Sequence, residues 1–239
     1  MITSNFSSTA LLANVPIIVK NDDNIFIFNM PTIEKEYGGI YSYSNLIFLC
    51  STDVSELQNY FKDVPFKSRY ELIKKICEHG TDDFGTSIIY CLSNIITDFE
   101  YIADSFRSGG KVISEEIFEL LCMYVAIASG SRDFNYLEEK EKEKFMTEEE
   151  RAWEERKRRN EAKIRKAKSK SGKKIELDTV MSCVCYEFGI PIKDLVQMNK
   201  YSVYFLYGKI GKISSYEVTK IAAGTGNLGK KNKHKYWTE

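Results

Sequence analysis

The chain holds only two histidines, His79 and His234, so any histidine-based acid, base or metal chemistry must pass through one of them. Cys77 lies near His79, but His79 stands just before Gly80, where a helix's last residue belongs and where the helix dipole favours a cation. That reading is structural. Cys183-Val184-Cys185 has the spacing of a metal or redox pair. A zinc site needs a full set of thiolate or imidazole ligands, and no second pair of Cys or His completes one. Residues two apart on a helix also do not share a face; a core cysteine beside a more exposed one fits better. Gly224-Thr225-Gly226-Asn227-Leu228-Gly229 spells the dinucleotide fingerprint. That motif works only where a strand precedes it and a helix start follows to meet the pyrophosphate. Here a helix precedes and Lys230-Lys231-Asn232-Lys233 follows, so the stretch reads as a flexible exit. Asp22-Asp23 and Asp82-Asp83 sit beside turn residues and read as solvated loops. With no convergent acid, base, nucleophile or metal set, the sequence predicts a non-catalytic protein without metal or cofactor.

Two groups of residues could bind macromolecules. Arg156, Lys157, Arg158, Arg159, Lys163, Arg165 and Lys166 form a basic patch, with Lys230, Lys231, Lys233 and Lys235 near the end. Such charge could hold nucleic acid by counterion release, but few aromatics lie between the charges to stack on bases. Charge blocks more often form solvated helix or interaction tails. The acidic block just before could also pair with the basic one, within a chain or between copies. The second group is Tyr201, Tyr204, Phe205 and Tyr207. Such density suits either a core or a protein interface, and the sequence does not divide these residues between the two.

The elements that must position these residues follow from pattern. Residues 1–15 are rich in Ser, Thr, Asn and Ala, and read as a flexible N-terminus. Pro16 to Val19 and Ile25 to Phe28 flank Asn and Asp residues that tolerate turn geometry, predicting a β-hairpin. Pro31 with Glu34 and Glu36 opens a helix. Tyr41 to Leu49 is helix or strand. Asp53 with Glu56 and Ser68 with Glu71 have capping-box spacing, and an apolar helix runs from about Gly85 to Ile96. Phe99 to Ala103 and Lys111 to Ile113 flank Gly109-Gly110, predicting a second hairpin. Ser114 then caps a helix reaching the Gly130 region.

From Leu137 the composition changes. Residues 138–155 hold nine acidic and four basic side chains, and residues 156–174 hold eleven basic and one acidic. Thr147 and Glu150 form another capping box, but almost no apolar stripe follows. Beyond it, Asp178 or Thr179 caps a helix stopped by Gly189, and Pro191 starts the next segment. Ser214 and Glu217 cap a last helix. The predicted fold is mainly α with small β-hairpins: an α+β domain over 16–135, a charged helical linker over 136–175, a small all-α domain over 176–223 and a basic flexible tail over 224–239. Hydrophobic residues make up 43% of the chain, enough for a core, and 34 basic side chains balance 34 acidic ones. The six cysteines read as reduced residues, four of them within apolar runs. The first residues lack the pattern of a signal peptide and no apolar run reaches membrane length, so a soluble, cytoplasmic protein is expected.

The order of elements carries a resemblance. A hairpin leads to Met30-Pro31-Thr32-Ile33-Glu34-Lys35-Glu36-Tyr37-Gly38-Gly39, then a helical set, then a strand pair ending Lys111-Val112-Ile113-Ser114-Glu115-Glu116-Ile117-Phe118. A Glu/Lys/Arg linker, an aromatic helix, a short helix, Ala222-Ala223-Gly224 and a Lys-rich end with Tyr236-Trp237 complete it. Over most of its length the chain resembles linker-extended tail assembly chaperones of phages infecting low-GC bacteria, and related baseplate or hub assembly proteins. The resemblance implies a non-catalytic partner of the tape-measure protein or other tail subunits, in the infected host's cytoplasm. On this reading the two domains grip a partner's apolar helices as a bivalent clamp. The rivals are a structural baseplate or neck subunit retained in the virion, and a nucleic-acid-binding protein using the basic linker.

Overall fold

The computed structural model describes residues 2–38, 43–78, 83–134, 147, 148, 150, 153, 156 and 175–224, with the side chains of the last helix through residue 217. Helices dominate, and two small antiparallel sheets of three strands accompany them. The fold is thus mainly α with small β elements, as the pattern predicts.

The first sheet is built from β1 (Ile2–Ser4), β2 (Ile17–Asn21) and β3 (Asn24–Phe28). Ile17 pairs with Phe28 and Val19 with Phe26, and all four are buried. Asp22 takes positive φ in the turn, as the Asn/Asp signal requires. The reading of 1–15 as flexible is corrected. Ile2, Thr3 and Ser4 pair with Asn21, Lys20 and Val19. Ser7 caps α1 (Ser8–Leu12), its hydroxyl accepting from Ala10 N, and Leu11 is buried. Phe6 stacks on Tyr124 at 4.1 Å. The small polar residues there supply a strand and a cap rather than disorder.

The second sheet corrects the second hairpin. Ser105–Ser108, read as a loop, is the central strand β5, between β4 (Phe99–Ile102) and β6 (Lys111–Val112). Two tight turns make this possible: Ala103 and Asp104 take positive φ in one, Gly109 and Gly110 in the other. Phe106 faces inward and stacks on Phe118 at 4.9 Å.

Between the sheets run α2 (Ile33–Gly38), α3 (Ser44–Ser51), α4 (Val54–Tyr60), α5 (Arg69–Glu78) and α6 (Asp83–Ile95); α7 (Glu115–Ala128) follows. Ser114 caps α7 through Ile117 N. This helix is buried on several faces, from Ile117 to Ala128, and forms the centre of the main core. Ser68 accepts from Glu71 N, while Glu71 reaches back to Lys67 N. The Asp53 box is not formed: Asp53 makes no side-chain cap bond and receives Arg132 Nη2 at 2.7 Å instead. Arg132 also donates to Ser51 O, and Arg69 to Leu49 O and Thr52 O. Two arginines thus satisfy the orphan carbonyls and negative dipole at the end of α3. Cys50, Cys77, Cys91 and Cys122 are buried free thiols, and burial pushes those of Cys77 and Cys91 up to about 12.

Beyond the charged stretch come α8 (Leu177–Phe188), α9 (Ile192–Leu195) and α10 (Lys200–Gly224). Gly189 closes α8 at φ +64°. The expected last helix from Ser214 is corrected: α10 runs unbroken through Ser214 and Glu217. No breaker stands there to open a new cap, and the short helix comes before the aromatic one. Around Val180, Met181, Val184, Leu195 and Val203 the three helices form a second core, which Ile33 of α2 completes. Most of the expected linker, His79, and residues 225–229 of the glycine-rich run lie outside the described residues. Thr147 and Glu150 are described, and their box is reciprocal: each accepts from the other's backbone N–H.

Candidate functional site

The C-terminal helices do not stand apart from the first unit. Ile33 N and Glu34 N donate to Met198 O at 2.9 Å and Val196 O at 2.8 Å. Asn14 Nδ2 donates to Gln197 O, and Gln197 Nε2 to Glu34. Asn199 is the hinge of this seam. Its Oδ1 accepts from Ser202 N, capping α10, while its Nδ2 donates to Leu11 O at the end of α1. Ser202 Oγ lies 3.0 Å from the same carbonyl. The bivalent clamp of two freely tethered domains is therefore corrected; both units contribute to one surface.

An ion pair between Glu36 of α2 and Lys200, the first residue of α10, crosses the seam. The Glu36 side chain is 2% exposed and that of Lys200 16%. Neither Glu36 oxygen accepts a well-directed hydrogen bond among the described residues, and the buried Tyr43 hydroxyl has no partner there either. Burial outweighs the attraction of Lys200 and raises the Glu36 carboxyl; burial also raises the Tyr43 phenol, with the Glu36 charge adding to it. For Lys200 burial alone would lower the ammonium, but its contacts with Glu36 and Tyr37 together raise it. Its Nζ lies 4.7 Å from the Tyr37 ring centroid, within cation–π range.

Beside this pair an open cleft of 610 Å³ lies between the units, walled by Tyr37, Lys200, Tyr204, Ile175, Leu177 and the Ser129–Ser131 turn. Gly130 takes φ +71° in that turn, and a Cβ there would meet Tyr204 Cδ2 at 3.7 Å.

No family model, curated protein or solved structure matches this chain. The site must therefore be read from its own geometry.

That geometry divides the aromatic group that the sequence left undivided. Tyr201 turns inward against the main core and Phe134, and burial raises its phenol. Tyr207 packs on the second core. Tyr204 and Phe205 face outward, 42% and 36% exposed, and Tyr37 is 67% exposed. Tyr201 and Phe205 are one helical turn apart with rings 6.4 Å apart, and Lys209 Nζ sits 4.9 Å from the Phe205 ring. Of the basic patch only Arg156 is described; it is helical and exposed, as is Trp153. Lys157, Arg158, Arg159, Lys163, Arg165 and Lys166 lie outside the described residues.

Sequence reasoning missed Tyr37, Glu36 and Lys200. Glu34 and Glu36 were legible only as charges suited to a helix start, whereas each reaches a residue more than 160 positions on. Cys183 and Cys185 are partly exposed on α8. Among the described residues no group of three His, Cys, Asp or Glu side chains gathers as metal ligands, and no helix is long and apolar enough to cross a membrane.

Proposed function

We propose that this chain is a non-catalytic protein-binding factor and, following its resemblance, a phage tail or baseplate assembly chaperone for apolar helices of a tape-measure protein or other tail subunits. The observation that carries the binding part is the aromatic rim of the seam cleft, Tyr37 from α2 and Tyr204 from α10, with Phe205 exposed next to Tyr204 on α10. Aromatic side chains give large contact area at low entropic cost and dominate interface energetics. Lys200, fixed over Tyr37, places a cation at the same rim. The phage assignment rests on the resemblance read from the sequence, from which the fold departs at the C-terminal end, where the short helix precedes the aromatic one.

The test is calorimetric titration of the full chain with a purified tape-measure fragment, beside mass spectrometry of purified particles. Binding with absence from finished particles is the expected result. Stoichiometric presence in particles favours a baseplate or neck subunit instead. Failure to bind any tail component, with DNA binding that falls steeply with salt, overturns the proposal in favour of the basic segment.

A further inference from the structure

We propose that the C-terminal unit, α8 to α10, is a latch that undocks from the rest of the chain as one body, breaking the seam while both cores stay intact. The buried apolar residues fall into two separate clusters. Among the described residues, Ile33 is the buried side chain that crosses from the first unit into the second core, and Tyr201 packs from the second unit against the first core. The rest of the seam is largely polar: the bonds of Asn14, Ile33 and Glu34 to the 196–198 turn, those of Asn199 and Ser202 to Leu11 O, and the Glu36–Lys200 pair.

Polar seams of this kind resemble transient interfaces within a chain rather than a continuous core. Each such bond exchanges with water on opening, so its net contribution is small. The Glu36–Lys200 pair adds little net to the closed form, because taking both charges out of water offsets their attraction. Asn199 and Ser202 act the other way on geometry: their network is satisfied when closed and admits one docked orientation. The closed form is thus unique but held loosely. Opening exposes Leu11 O, Ile33 and the inner face of α10, and it requires neither core to melt. This inference stands apart from the proposed partner, since it concerns the isolated chain.

Hydrogen exchange on the full chain tests it. The amides of Ile33 and Glu34 belong to the first unit but are bonded only across the seam, so they report docking. The expected result is that these two amides are protected at least about tenfold less than those of α6, α7 and α8, whose helical bonds survive undocking. Asn14→Gly with Gln197→Ala removes seam bonds while leaving both cores and the Asn199 cap in place. Glycine suits the positive φ of position 14. The double variant should lower the protection of Ile33 and Glu34 by a further factor of roughly five, with α7 and α8 unchanged. A common level for Ile33, Glu34 and α7 overturns the latch, as does an equal loss in α7. Exchange of α8 at the same rate as Ile33 and Glu34 would mean that the C-terminal unit melts rather than undocks, and overturns it too.

Discussion

Arg69 donates from Nε to the carbonyl of Leu49, 2.7 Å away and twenty residues earlier, and from Nη2 to Thr52 O. The same guanidinium pairs with Glu119, whose side chain is 35% exposed. The two ends of this ion pair therefore differ in what their loss leaves behind. Arg69→Met strands the last carbonyls of α3 at the foot of the core and should cost about 2–4 kcal/mol. Glu119→Gln leaves those bonds in place and should cost about 0.5–1 kcal/mol. Denaturant unfolding of both variants decides the matter; equal losses would mean that the charge pair, not the carbonyl cap, is the stabilising feature.

Glu36 gives the seam a pH dependence of defined sign. Its carboxyl is raised above the ordinary 4.5, with burial the leading cause. The folded chain therefore holds that proton more tightly than the unfolded chain, and stability falls as pH rises through the window that opens near 4.5. Glu36→Gln cannot titrate. The stability of wild type relative to Glu36→Gln should be flat below that window and decline across it. A rise in that difference with pH would mean that Lys200 overcomes the burial penalty.

What the sequence carried was local chemistry. The turn at Asp22, the Ser114 cap, the Ser68–Glu71 box and the apolar settings of four cysteines each depend on residues a few positions apart, and each is present. Asp53 shows the limit: its spacing to Glu56 satisfies the cap rule, but Arg132, 79 residues later, takes the carboxylate. The strand at Ser105–Ser108 was hidden because a short polar segment between two turn signals looks like a loop until Phe106 finds Phe118. The site was less legible than the fold. Asn199 and Leu11 O, 188 residues apart, set the angle of α10, and only that angle decides which of Tyr201, Tyr204, Phe205 and Tyr207 reach solvent.

The division of those aromatics predicts a separation of stability from binding. Tyr201→Ala removes a ring packed between Phe134 and Phe205 and should cost about 2–3 kcal/mol of stability. Tyr204→Ala and Phe205→Ala should each change stability by less than about 1 kcal/mol. Each should nevertheless weaken capture of a tape-measure fragment by about tenfold or more, as an interface anchor would. Thermal melts and calorimetry on the same preparations read both quantities. Unchanged affinity in both exposed variants would remove the aromatic rim as the binding surface.

Three glycines near this rim should respond in opposite ways to alanine. Gly130 takes φ +71°, so Gly130→Ala forces a left-handed Cβ against Tyr204 and should destabilise by about 1 kcal/mol. Gly208 and Gly211 lie inside α10, with nothing within 4 Å of an added Cβ. There alanine lowers the entropy of the unfolded chain without a clash, so Gly208→Ala and Gly211→Ala should each stabilise by about 0.5–1 kcal/mol. Thermal melts of the three variants check the signs; a stabilised Gly130→Ala or a destabilised Gly208→Ala would overturn the conformational argument.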